Sequence, residues 1–197
     1  MTTAILLLGS YLLGSVPFGL LIGRLRGVDV RRAGSGNIGA TNVMRTGGKA
    51  AGIVTLCLDA AKGVVPVLVA RQTGVSPDLQ VAAGVAAVVG HCFPIYLRLR
   101  GGKGVATATG AFAVLSPLVL GFAAVVFAGV LGVSRIVSAG SCAAALALPA
   151  AAFARGETTV ALGAIPVAVI VVWRHRENLR HIRAGTERRL GQPEAGE

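Results

Sequence analysis

Acidic residues are scarce in this 197-residue chain: 8 Asp and Glu stand against 19 Lys and Arg, for a net charge of +11. Charge of either sign is thin, at 14% of residues, where an ordinary soluble domain carries roughly 25%. That shortage excludes a soluble globular fold. Aromatics are only 5% of the chain, and the arginines flank apolar runs instead of lining one basic face, so nucleic acid is not expected as a partner. The three cysteines, Cys57, Cys92 and Cys142, all fall in apolar segments and show no CxxC or Cys/His ligand spacing. They read as inert helix residues. His91, His175 and His181 form no HExxH and have few acids to join them, so neither a metal site nor a cofactor is expected.

What the chain has instead is apolar sequence, 54% hydrophobic with a mean hydropathy of +0.74. Such a chain in lipid must satisfy its backbone internally, which predicts an all-α, polytopic integral membrane helical bundle, one domain over residues 1–197. Thr3 to Ile22 forms the first span and lacks a basic n-region and cleavage site, so it is expected to stay as a transmembrane helix. Gly14-Ser15-Val16-Pro17-Phe18-Gly19 interrupts it. Proline removes an N–H and clashes with the preceding turn; the result is either a simple kink or freed backbone groups that line a cavity.

Arg24, Arg26, Arg31, Arg32, Arg45 and Lys49 then oppose the single Asp29, which places this loop in the cytoplasm and the N-terminus outside. Ala51 to Ala70 is the next span. Asp59 and Lys62, three residues apart, share one face there, either as a structural ion pair near the end of the span or in a functional role. The third span, Leu79 to Leu97, ends in Gly90-His91-Cys92-Phe93-Pro94 and leads to Arg98, Arg100 and Lys103 on the inner side. Gly104 to Val133 is too long for one span and short for two. Two short crossings hinged near Ser116-Pro117 keep every basic stretch inside, so tilted or broken helices are implied. Ala139 to Ala154 and Thr158 to Trp173 complete about seven segments, with the C-terminus inside.

Three polar stretches gather on that inner side. Gly34-Ser35-Gly36-Asn37-Ile38-Gly39 matches GxGxxG by letter, but no strand precedes it and no βαβ unit is available, so the dinucleotide reading fails. What remains is a polar wall of Ser35, Asn37, Thr41 and Asn42 with Arg45, where glycines allow close backbone approach, or else a solvated loop. Gly101-Gly102-Lys103-Gly104 has the ingredients of an anion nest, several amides beside one ammonium. It lacks the spacing and the following Ser/Thr of a Walker lysine, which excludes an NTPase; a basic topology signal is the plainer reading. The third stretch joins Ser138 to the tail, where a helical continuation would aim His175 and Asn178 at one site with Glu187 to orient or clamp them.

With these residues assembled, the chain resembles the PlsY family, the acyl-phosphate-dependent glycerol-3-phosphate acyltransferases of bacteria. The likeness runs over nearly the whole length, through Gly14 to Gly19, Gly34 to Asn42, Asp59-Ala60-Ala61-Lys62-Gly63, Gly90 to Pro94, Arg100 to Thr107 and Arg174 to Glu187. It implies transfer of a fatty acyl group from acyl phosphate to the 1-hydroxyl of sn-glycerol 3-phosphate, giving lysophosphatidic acid and phosphate, the first step of membrane phospholipid biosynthesis. It also implies a multi-pass protein of the bacterial inner membrane with a cytoplasmic site, coupled in function to the soluble enzyme that makes acyl phosphate. The HxxxxD signature of the acyl-CoA-dependent enzymes is absent, because Tyr96, Arg180 and Thr186 stand five positions after the three histidines.

By that resemblance Ser35, Arg45, Lys103, Ser138, His175 and Asn178 contact the phosphate or hydroxyls of glycerol 3-phosphate. Gly34, Gly36, Asn37, Thr41 and Asn42 with Gly101, Gly102, Lys103 and Gly104 cradle acyl phosphate, and Glu187 supports the third group. No serine–histidine–acid triad can be assembled, and acyl phosphate is already activated. Direct attack by the substrate hydroxyl follows, with the proton taken by His91, His175 or a phosphate oxygen and Lys103 stabilising the transition state. His91 also has a structural alternative, as a tie at the end of its helix. Two other classes compete with the enzyme: a transporter of a phosphorylated solute, built on similar broken helices, and a lipid-binding scaffold.

Overall fold

The computed structural model describes residues 3–191, and among these no strand occurs. The helices are α1 (Thr3–Ser15), α2 (Phe18–Leu25), α3 (Ala40–Gly47), α4 (Lys49–Gln72), α5 (Pro77–Cys92), α6 (Val105–Leu115), α7 (Pro117–Ser134), α8 (Val137–Ala154), α9 (Thr158–Arg174) and α10 (Arg176–Arg183). A short 3-10 turn, Ile95–Leu97, follows α5. The chain divides between Pro117 and Leu118 into two compact units.

In the first unit α4 packs on α6 and α1 on α5, with α4 also against α3 and α5. Small residues make these contacts close. A Cβ at Gly14 would meet the backbone of Ala87, one at Gly90 the carbonyl of Tyr11, one at Gly63 the carbonyl of Thr107, and one at Gly110 the carbonyl of Ala60. Such backbone-to-backbone approach is how helices associate where lipid tails offer no hydrophobic drive. Side chains then pin the helix ends. Tyr11 Oη donates to the Phe93 carbonyl at 2.8 Å, past the last turn of α5. Arg71, in the last turn of α4, donates through Nη2 to the Val114 carbonyl at 2.7 Å, closing the end of α6. Ser76 accepts from the Leu79 amide at the start of α5, with Pro77 beside it in the first turn. In the second unit α8 packs on α9, and α10 touches both.

The interruption expected at Pro17 separates α1 from α2, yet Thr3–Leu25 is still long and apolar enough to count as one broken span. The Gly104 to Val133 run is divided where the sequence placed its hinge: α6 ends at Leu115, Ser116 is extended, and α7 starts at Pro117. Among the described residues five helical stretches meet the length and composition of a membrane span, and six if α9 and α10 count as one bent span. The remaining segment, α6, has 11 residues. At ~1.5 Å per residue it covers only about half of a ~30 Å hydrocarbon core, so it does not cross by itself. Asp59 and Lys62 lie in the middle of α4, not near the end of the span as the sequence suggested, because α4 starts at Lys49 and continues to Gln72.

The close approach of α4 and α6 gives a direct test. Gly110→Leu drives a side chain into the Ala60 carbonyl, and the cost is expected at ~1–3 kcal/mol, the usual range for overpacking. Gly9→Leu, with nothing within 4 Å of its Cβ, is expected to be neutral. Thermal unfolding of the two variants in detergent measures the difference.

Candidate active site

The first polar loop is organised by one side chain. Asn42, in the first turn of α3, is 2% exposed. Its Oδ1 accepts the Ser35 amide at 2.8 Å, and its Nδ2 donates to the carbonyls of Val30 (2.9 Å), Ala33 (3.1 Å) and Asn37 (2.8 Å). Gly34 and Gly36 take positive φ values of 58° and 70°, which the tight path around the amide requires. A Cβ at Gly34 would meet Asn42 Oδ1. The Asn42 amide therefore holds the loop together, a different task from the phosphate contact expected of it. What the loop presents outward is Ser35, with Thr41 and Arg45 four residues apart on the exposed face of α3; Asn37 is half-buried and its Oδ1 accepts the Gly39 amide. The loop's acid, Asp29, is taken by Arg31 at 2.7 Å, and the Arg31 hydrogen bonds hold its carboxyl well below the usual carboxylate range.

The second loop corrects the anion nest. Arg98 and Leu99, neither a glycine, sit in the left-handed region with φ of 51° and 64°. They turn the chain back along the end of α5, where Gly101 N–H donates to the Cys92 carbonyl (3.2 Å) and Gly102 N–H to the His91 carbonyl (3.0 Å). Those two amides close the end of α5. A Cβ at Gly101 would collide with the His91 carbonyl, and one at Gly102 with the His91 ring, so both glycines serve this close return. Amides suited to an anion stand a few residues onward, at the N-terminus of α6. Gly104 (φ 85°) leads into that helix without a side-chain cap. The first-turn amides there have no carbonyl within the helix to bond, and the helix dipole favours an anion beside them. Half-buried Lys103 adjoins this end, and Thr107, within the first turn, is fully buried with its hydroxyl unpartnered among the described residues.

Beneath this turn a buried polar chain joins His91, which the sequence reading placed at the site, to Asp59 and Lys62, which it did not. His91 is 4% exposed, and its Nδ1 is 3.7 Å from Asp59 Oδ1, which is 3.0 Å from Lys62 Nζ. The signal was present as an acid and a lysine three apart in an apolar helix, but their link to His91 depends on how α4 meets α5.

The second unit brings together Ser138, Asn178 and Glu187. Ser138 Oγ and Asn178 Nδ2 both donate to Glu187 Oε1, each at 2.6 Å, and His181 Nδ1 is 3.5 Å from Oε2. The carboxylate thus sits at the first turn of α8, where the helix dipole favours it. The Leu190 amide bonds the Arg135 carbonyl at 2.7 Å and holds the returning tail in place. His175 departs from expectation: α9 and α10 meet there at a 56° bend, so His175 and Asn178 are not on one continuous helix. Its Nδ1 lies 2.8 Å from the Val171 carbonyl. A carbonyl only accepts, so Nδ1 carries the proton and Nε2 is the acceptor nitrogen of the neutral ring. Glu187 thus clamps Asn178 to Ser138, not to His175.

Comparison with known proteins agrees with the resemblance drawn from the sequence. The family model described as glycerol-3-phosphate acyltransferase matches residues 4–185. A glycerol-3-phosphate acyltransferase of Geobacter sulfurreducens is 49% identical, covering 92% of this chain and 94% of that protein. One of Myxococcus xanthus is 51% identical, covering 96% and 100%. A crystal structure of PlsY, an integral membrane glycerol 3-phosphate acyltransferase in its glycerol 3-phosphate form, superposes with a TM-score of 0.91 at 39% identity over 96% of each chain. Its lysophosphatidic acid form gives 0.89, also at 39% identity.

Removing the Asn42 amide tests the loop assignment. Asn42→Ala strands the Ser35 amide and three carbonyls, and losses of this kind run at about 1–3 kcal/mol for each buried group left unpaired. Faster amide hydrogen exchange across residues 33–39, with the α5–α6 turn unaffected, is the expected outcome.

Proposed function

Since the chain belongs to the glycerol-3-phosphate acyltransferase family and is an integral membrane acyltransferase, we propose that it moves a fatty acyl group from acyl phosphate to the 1-hydroxyl of sn-glycerol 3-phosphate. The products are lysophosphatidic acid and inorganic phosphate. The observation that carries the reading is Lys103 adjoining the uncapped N-terminus of α6, a cation and a row of amides suited to phosphate oxygens. The missing HxxxxD signature supports acyl phosphate over acyl-CoA as donor.

In the proposed reaction the 1-hydroxyl oxygen attacks the acyl carbonyl, the new ester C–O bond forms, and the bond from the carbonyl carbon to the phosphate oxygen breaks. Phosphate leaves with the electron pair. Lys103 and the α6 amides bind the phosphoryl group and stabilise charge as it develops. Ser35, Thr41 and Arg45 on the exposed side of the first loop and α3 are proposed as further phosphate contacts, with Asn42 positioning them. Both ring nitrogens of His91 face protein, one towards Asp59 and the other towards Gly102, which favours a positioning task for it. The proton then goes to a phosphate oxygen or to His175 Nε2. Ser138 and Asn178, donors held by Glu187, are proposed as hydroxyl or phosphate contacts, with residues 1–197 serving one activity. The charge distribution supports a bacterial inner membrane location with a cytoplasmic site, the N-terminus out and the C-terminus in. Supply of the donor then couples the enzyme to the soluble protein that makes acyl phosphate.

Purified protein given glycerol 3-phosphate is expected to form lysophosphatidic acid with acyl phosphate and not with acyl-CoA. Lys103→Ala should lower kcat by on the order of 100-fold or more, the scale of losing one transition-state donor, while the melting temperature stays unchanged. Retained turnover in that variant, or a trapped acyl-enzyme, would overturn the mechanism.

A further inference from the structure

An acid and a lysine inside an apolar helix are costly to keep and seldom idle. The proposed chemistry uses neither. Asp59 and Lys62 are each 2% exposed, and two links run outward from them to irregular backbone. On one side Lys62 Nζ donates to the Val16 carbonyl at 2.9 Å, at the break before Pro17, and lies 5.8 Å from the centroid of the Phe18 ring. On the other side Asp59 Oδ1 stands 3.7 Å from His91 Nδ1. The His91 carbonyl accepts the Gly102 amide, and its ring fills the space where a Gly102 Cβ would be. The next residue is Lys103.

A buried ion pair is weak evidence of stabilisation, because desolvating both charges costs about what their attraction returns. Neutral groups of similar size would fill the same space. What they would not supply is a fixed anion facing an imidazole. We propose that Asp59 is a positioning residue for the acyl transfer: it holds the His91 ring against Gly102 and thereby sets where Lys103 stands, while Lys62 anchors Asp59 to the α1–α2 break. The inference rests on the acyl-transfer reading and adds to it two residues that touch no substrate. It explains why the charges sit at the middle of α4, level with the turn between α5 and α6, and not at a helix end where water would lower their cost.

The test uses the full-length protein in detergent or nanodiscs with glycerol 3-phosphate and acyl phosphate. Three variants are compared: Asp59→Asn with Lys62→Met, His91→Gln, and all three substitutions together. Neutralising both partners avoids leaving one buried charge alone, and the Val16 carbonyl keeps the Phe18 amide as a donor at 3.1 Å, so the melting temperature is expected to stay close to that of the unmodified protein. A misplaced turn is expected to lower kcat by tenfold or more, within the range that ångström-scale misplacement causes. KM for glycerol 3-phosphate should change by less than about twofold, since substrate binding by the outer residues is intact. Adding His91→Gln should lower kcat no further, because residues acting through one path do not add. A kcat near that of the unmodified protein overturns the proposal, and so do losses that multiply in the triple variant. A neutralised chain that no longer folds overturns it as well, since the pair would then hold the helices and not the turn. Failure of the unmodified protein to make lysophosphatidic acid needs no variant to see, and removes the acyl-transfer reading together with this inference.

Discussion

In lipid, a carbonyl that leaves its helix has no water to bond, and each break in a membrane helix must be answered by a donor from elsewhere. This chain answers them one by one. Lys62 reaches the Val16 carbonyl at the α1–α2 break, Tyr11 reaches Phe93 after α5, Arg71 reaches Val114 near the end of α6, and the Gly101 and Gly102 amides close the last carbonyls of α5. At the α9–α10 bend His175 bonds the Val171 carbonyl. Most of the polar side chains set deep in the molecule are therefore committed to backbone before any substrate enters.

That commitment separates residues that shape the site from residues that present themselves to a ligand. Asn42 and His91 are buried and engaged, while Ser35, Thr41 and Arg45 are exposed and Lys103 is half-buried. Asn42 joins four backbone groups of the first loop, and the His91 ring lies between Asp59 and Gly102. The exposed donors of Ser35, Thr41 and Arg45 are of kinds that suit an anion.

Much of the fold was legible. Proline sets φ and lacks an N–H, so the breaks at Pro17 and Ser116-Pro117 followed from local chemistry, and the Asp59–Lys62 contact followed from three-residue spacing on a helix. The polar loops were legible as composition. Their internal wiring was not. The return of the chain at Gly101 depends on left-handed Arg98 and Leu99, a conformation that neither side chain favours and no local pattern announces. The Glu187 clamp on Ser138 spans 49 residues of sequence and the Tyr11 bond to Phe93 spans 82, separations at which only the packed structure decides the partner. The bend at His175 was hidden for a similar reason, since Arg174 and Arg176 read as an uninterrupted helix.

The short α6 has a bearing on how the two substrates meet. Thr107, in its first turn, packs on Gly63, past the midpoint of α4. α4 has the length and composition of a membrane span and α6 begins beside its middle, so a bilayer centred on α4 would recess the Lys103 turn by on the order of 15 Å, half the length of a helix of this size. Under the proposed reaction, water-soluble glycerol 3-phosphate would travel down to the turn, whereas a long acyl chain would already lie at that level and approach sideways through the bilayer. Depth, as much as charge, would then sort the water-borne reactant from the lipid-borne one before either is bound.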